Sequence, residues 1–453
     1  MATILEKGIF SLCILLIIYL SKDQILALII KNKKPLSDKE RSPSTSSLEK
    51  PKIPKSSYAS NETIQKPTPL YIKPEDVKNY DDRPWRPFRW PYHQTMSIFK
   101  LDINHWLDMD KYYQHYIDEK KRIRLKYGKQ NFDMLPEGRE ACTELMETVV
   151  DHMLVRYPLL FTLMNNGSWE NEGKIVKNEI TNEIIDMTLP LKEQPLVYVS
   201  KFAKEDFYVV LQNPKDNLYY LVGGAVPFPG GSFSVSEKMG KNLDAIHVGV
   251  PYYKQSLKRS MERWFSKLRP QDPVERASWY ITWDTKLKFN NIYHTPETFP
   301  ELFKNLDETS PKQFNVRVER QTLRKLPKSQ AVIFTNHPVF YSIEEMKDEP
   351  MIPSLLKKIL YEGPEDILKY KNFELIRDKL SPYLDSLIKR QIEKGIITEE
   401  TPLKTQPNYP FACWVKDNKT SNDQQGWNNP SPFYNKNHMK TEGFDPSKLN
   451  AYE

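Results

Sequence analysis

Two short segments concentrate the residue types that chemistry needs. In IHVGVP, His247 stands among apolar and small residues, after one short helical pattern and before a strongly amphipathic one. Such a histidine can offer one imidazole nitrogen to iron while a carbonyl or carboxylate holds the other. The same pattern also suits a hydrogen-bonded histidine in a turn. In FNVRVERQTLRKLP, strand alternation puts Arg317, Glu319 and Gln321 on one face and Val316, Val318 and Arg320 on the other. Three polar groups on a buried face need polar partners. A cofactor carboxylate and a substrate amine would serve, and a solvated strand face is the plainer alternative. Trp279 and Trp283 lie four apart on the preceding strand and share a face. They suit the wall of an aromatic pocket for a flat ring or a small cationic amine, and ordinary core packing equally well.

Other chemistries find little support. There is no GxSxG elbow, no HExxH, no kinase signature set and no Cys-x-x-Cys pair. The glycines of PFPGGSF lack the spacing and the lysine of a phosphate cradle. The three cysteines, Cys13, Cys142 and Cys413, are too scattered for a disulfide framework or a zinc site. His152 on a helix and His337 in TNHPVF read as structural histidines. A net charge of +7, without an array of arginines and exposed aromatics, argues against nucleic-acid binding.

The elements that must position these residues follow from periodicity and punctuation. A helix begins near Asp108 or Asp110 and stops at Gly128, and a second covers 138–156. Strand-like runs follow at 174–180, 195–202, 207–212 and 218–226, then a short helix at 234–240. Residues 254–268 form an amphipathic helix with Leu257, Met261, Trp264, Phe265 and Leu268 on one side. Strands at 276–284, 315–323 and 330–340 precede helices near 350–360 and 373–393. This order predicts an α+β fold, an antiparallel sheet with helices packed on it.

The termini differ in character. Residues 1–34 contain the apolar run GIFSLCILLIIYL followed by lysines, which reads as a single-pass membrane anchor or targeting segment. The endoplasmic reticulum or a mitochondrial membrane suits it. Lys31, Lys33 and Lys34 after the run favour a cytosolic body. Residues 35–82, rich in Pro, Ser and Lys, read as a linker. Residues 83–400 form the domain, opening with RPWRPFRWPYH, and 401–453 an irregular tail. A membrane-anchored glycosyltransferase would share this plan. Its metal-binding Asp-x-Asp could only be DMD at 108–110, at a predicted helix start rather than a strand-end loop.

Four long segments then add a resemblance: RPFRWPYHQTMSIFKLDINHWLDMD, LPEGREACTELMETVVDHMLVRYP, IHVGVP and VRVERQTLRKLP. Together they resemble the haem-dependent oxidative N-demethylases, and within that family its fungal branch. The resemblance spans roughly residues 85–400. It implies a PAS-like antiparallel sheet flanked by helices, haem b as cofactor, and oxidative removal of a methyl group from a small amine with dioxygen. Electrons would come from an external flavoprotein or other reductase. It further implies that His247 is the iron ligand and that Arg317, Glu319, Arg320 and Gln321 form the polar strand near the haem, with propionate-facing and substrate-facing roles left open among them. From these readings Arg317, Glu319 and Gln321 are expected as the catalytic groups, and Arg320 and Trp279 as cofactor contacts. A non-catalytic haem sensor or carrier is the alternative that the same resemblance permits.

Overall fold

The computed structural model describes residues 63–231, 233–288 and 294–415. Ten strands are assigned among them. They are β1 (Phe99–Lys100), β2 (Phe132–Met134), β3 (Phe161–Leu163), β4 (Gly173–Asn178), β5 (Glu183–Thr188), β6 (Asp206–Gln212), β7 (Tyr219–Ala225), β8 (Val274–Thr282), β9 (Asn315–Lys325) and β10 (Val332–Ser342). Seven pair in the order β1-β8-β9-β10-β6-β7-β2, every pair antiparallel, and β3-β4-β5 form a second sheet. The helices are α1 (Tyr113–Tyr127), α2 (Arg139–Arg156), α3 (Pro195–Phe202), α4 (Val235–Lys238), α5 (Leu243–Ile246), α6 (Lys258–Lys267), α7 (Ile352–Glu362), α8 (Glu365–Tyr370) and α9 (Phe373–Glu393). The architecture is α+β.

Local chemistry explains most boundaries. Asp110 accepts the Tyr112 amide just before α1, and Gly128 ends that helix at φ +49°. Gly223 in β7 lets α2 approach closely. A Cβ there would stand 2.6 Å from Cys142 Sγ. The segment PLVYVSKF, which reads as a strand, is instead α3. Pro195 suits a first helical turn, and every residue except Lys201 is buried, so no alternation distinguishes the two structures.

The central sheet is covered on both faces. One face carries the principal cores, where α1, α2 and α3 pack beneath β6 and β10, and α7 and α9 pack beneath β8 and β9. The other face meets the connection between β7 and β8, which contains α4, α5 and α6. That connection roofs a cavity on this face.

The body extends beyond the expected limits of 83 and 400. Ile72 and Val77 are buried in the principal core, and the Leu70 amide donates to the Arg156 carbonyl at the end of α2. At the other end, Phe411 bridges to Trp85, and the Ala412 amide donates to the Pro84 carbonyl. The RPWRPFRWPYH segment is clamped beneath this bridge. Arg86 makes a two-point pair with Glu349 at 2.7 and 2.8 Å and lies 4.4 Å from the Tyr341 ring centroid. The expected anchor at 1–34 and the tail beyond 415 lie outside the described residues. Among the described residues, no helix is long and apolar enough to cross a membrane.

Candidate active site

The cavity has a volume of about 520 Å³, within the ordinary range of small-molecule sites. Its floor is one face of the sheet and its roof is α5, α6 and the loops around them. Register assigns the floor residue by residue. Arg276 pairs with Gln321, Ser278 with Glu319, and Gln321 with Asn336, so these side chains share one face. Tyr208, Leu323 and Phe334 continue that face as apolar wall, opposed by Leu257, Met261 and Phe265 from the amphipathic α6 pattern. The cavity therefore has an apolar section and a polar section.

His247 caps the C-terminus of α5 and lines the cavity. Its Nδ1 lies 2.7 Å from the Leu243 carbonyl, so Nδ1 carries the proton and donates. Burial pulls its pKa below the ordinary imidazole value, and nearby Arg276 adds to this. The result is a neutral ring whose Nε2 lone pair makes no hydrogen bond among the described residues. Tyr253 stacks on the ring at 5.1 Å and 14°, and its hydroxyl donates to Asp244 at 2.8 Å. Lys258 on α6 bonds the other Asp244 oxygen. A short helix, a turn and α6 thus hold one imidazole in one orientation.

Glu319 is the tethered carboxylate of the floor. Arg317 Nε donates to its Oε1 and Asn336 Nδ2 to its Oε2. Arg317 is itself fixed by the Lys286 carbonyl at 2.8 Å. Gln321 Nε2 reaches Asn336 Oδ1 at 3.3 Å, and its buried Oε1 has no hydrogen-bond partner. Gly230 lies directly against Glu319. A Cβ built there would stand 2.8 Å from the carboxyl carbon.

The structure brings His247, Glu319 and Gln321 to this cavity, with Arg317 behind Glu319. It does not bring Arg320 or Trp279. Alternation turns both to the opposite face. Arg320 is buried against Asp108 at 3.2 Å and Glu205 at 3.5 Å. Trp279 packs with Phe88 and Phe373 in the second core, and Trp283 packs against Phe303 there. Their expected contact with a cofactor is corrected to structural roles. His337 also faces away. Its ring stacks edge-on with Tyr116 at 4.6 Å, close to Asp82 and Asp110. The DMD carboxylates are engaged beneath the sheet, Asp108 by Arg320 and His105, and Asp110 by Lys204, which leaves no open metal–nucleotide loop. The reading missed Arg276, Asn336, Tyr253 and Gly230. The alternation that removes Trp279 from the cavity also places Arg276 within it, so that signal was present.

The model of one protein family, described as haem-dependent oxidative N-demethylase, alpha subunit-like, matches residues 97–381. The chain belongs to this family. The matched range contains His247, the polar floor and all but the first residues of the cavity wall. For a haem-dependent N-demethylase family member, the residues present fit the cofactor. The cavity supplies a neutral imidazole with an open nitrogen, an apolar wall suited to a macrocycle, and a polar section beside it. The burial of Asp108 and Asp110 and this membership together replace the glycosyltransferase alternative.

Proposed function

We propose that this protein binds haem b through His247 Nε2 and catalyses the oxidative N-demethylation of a small amine, with electrons from an external flavoprotein or other reductase. The observation that carries the reading is one cavity holding an oriented, neutral imidazole together with a tethered carboxylate. The antiparallel order β7-β6-β10-β9-β8, with the β7–β8 connection folded over one face as a roof, supports the PAS-like reading of the core.

When bound, haem supplies the redox chemistry that activates dioxygen toward an N-methyl group. The chain's residues do the rest. Glu319 attracts an ammonium group and sets its position relative to the polar floor. Arg317 and Asn336 hold both Glu319 oxygens, so the carboxylate does not swing when substrate arrives. Gln321 offers its unpaired Oε1 to a second donor on the substrate. The wall from Leu257, Met261 and Phe265 excludes water from the apolar end. Per turnover, an N-methyl amine, dioxygen, two electrons and two protons give the demethylated amine, formaldehyde and water.

The test is spectroscopic first. Purified protein supplied with haemin develops a Soret band that His247→Ala loses or shifts. A reductant and an N-methyl amine then release formaldehyde. Normal haem content and an unchanged spectrum in the variant would refute the ligand assignment. A normal spectrum with amine-independent oxygen consumption would favour a sensor or carrier.

A further inference from the structure

Arg276 is the residue that neither the fold nor the proposed chemistry uses. It projects from β8 into the polar section of the cavity, opposite Gln321 in register. Its Nε is shut off from solvent and makes no hydrogen bond. No ion pair holds its guanidinium among the described residues. The carboxylates of this region are committed elsewhere: Glu319 to Arg317 and Asn336, Asp244 to Tyr253 and Lys258, Glu275 to Arg83 on the far face. Burial disfavours its charged form and lowers its pKa from the ordinary guanidinium value. A guanidinium cannot shed its proton to escape this position.

A second cation stands behind it. Lys371, between α8 and α9, is buried, and its Nζ donates to the Trp279 carbonyl at 2.6 Å. Its other neighbours are rings, with Tyr280 at 4.8 Å and Trp279 at 5.1 Å. Among the described residues no carboxylate pairs with it. Burial and the adjacent Arg276 push its pKa down to about 7. Below about pH 7 both groups are cations, and two cations brought together by three elements, with no carboxylate beside them among the described residues, are costly unless an anion joins them.

We propose that Arg276, reinforced by Lys371, is a carboxylate-binding corner of the cavity. The inference rests on the haem reading for the identity of its occupant, but not for its existence. Two carboxylates share this chemistry, a haem propionate and the carboxylate of an amino-acid-like N-methyl substrate. The planar guanidinium offers the two-point contact that a carboxylate takes. Arg276 and His247 line the same cavity, so an anion held at Arg276 would share that cavity with a group bound at His247.

The experiment has three arms on the full chain. In the haem-free protein, benzoate and its neutral analogue benzamide are titrated calorimetrically. Benzoate binds, benzamide does not, and Arg276→Gln weakens benzoate by roughly tenfold or more, as loss of a charged hydrogen bond implies. Arg276→Lys restores part of the affinity, which separates charge from misfolding. In the second arm, haemin and haemin dimethyl ester are titrated and followed by the Soret band. A propionate occupant makes wild type prefer haemin, and Arg276→Gln removes the preference without moving the band that His247 sets. In the third arm, sarcosine and dimethylamine are added to the haem-loaded protein. A substrate carboxylate as occupant gives a sarcosine-specific spectral shift that Arg276→Gln abolishes, with haemin and its ester bound equally. Failure of wild type to bind haemin would overturn the haem reading and leave the benzoate arm to judge the corner. Equal benzoate affinity in wild type and Arg276→Gln would overturn the corner.

Discussion

Gly230→Ala tests whether Glu319 is held rigidly. The added methyl would stand 2.8 Å from both Cδ and Oε1 of Glu319, and 3.0 Å from Oε2. Ordinary carbon contacts are about 3.5–4.0 Å, so something must move by roughly 0.7 Å or more. The carboxylate has little room to yield, because Arg317 and Asn336 each hold one oxygen and Arg317 is pinned to the Lys286 carbonyl. Overpacking of this kind costs about 1–3 kcal/mol. A double-mutant cycle isolates it. Removing the carboxyl with Glu319→Ala takes away the three atoms nearest the new methyl. Gly230→Ala should therefore cost about 1–3 kcal/mol in wild type and close to nothing in the Glu319→Ala background. Denaturation midpoints of the four haem-free proteins measure the coupling. Formaldehyde release should fall in Gly230→Ala, while the Soret position, set by His247, stays in place. Additive free energies within about 0.5 kcal/mol would refute the reasoning and show a carboxylate free to turn aside.

Two further outcomes follow from the opposite side of the sheet and from Lys371. Arg320→Ala leaves Asp108 and Glu205 buried without their shared cation, and should destabilise the fold by about 3–5 kcal/mol while haem binding by the surviving folded protein keeps its spectrum. A selective loss of haem at normal stability would return Arg320 to the cofactor. Lys371 has its folded pKa pushed down to about 7, below the unfolded lysine value near 10.4, so the unfolded chain holds the extra proton between these limits. Its contribution to stability is thus lost as pH falls from about 10 toward 7 and is level below that, at up to about 1.4 kcal/mol per pH unit. Urea unfolding at pH 7 and 9.5 should show Lys371→Met gaining on wild type at the lower pH. An equal difference at both pH values would mean that the amine stays charged throughout.

The sequence revealed the site's axis better than its edges. Strand alternation in 315–323 correctly separated Arg317, Glu319 and Gln321 from Val316, Val318 and Arg320, because both faces are buried and each must be chemically consistent. Alternation could not say which face meets a cavity, and Arg320 was assigned to the cofactor for that reason. Its partners come from 108 and 205, at separations no local pattern encodes. Trp279 illustrates the same limit. An aromatic pair on one strand face serves a pocket or a core equally well, and only the packing of Phe88 and Phe373 decides. The α3 segment failed through lack of periodicity. The structured parts of 63–82 and 401–415 were missed because proline-rich, polar composition conceals single buried anchors such as Ile72, Val77 and Phe411.

The clasp between Trp85 and Phe411 has a consequence for how the molecule comes into being. Trp90 and Thr405 also bond across it, 315 positions apart in the chain. A nascent polypeptide leaving the ribosome must keep the Trp85–Trp90 stretch unsatisfied until nearly all of the described body has been made. Loop-closure entropy grows slowly with length, so the delay lies in synthesis time more than in the search. Closure of the domain therefore waits on synthesis of the segment around Thr405 and Phe411, and a chain stopped at residue 381 would be left with its opening aromatics seeking other surfaces.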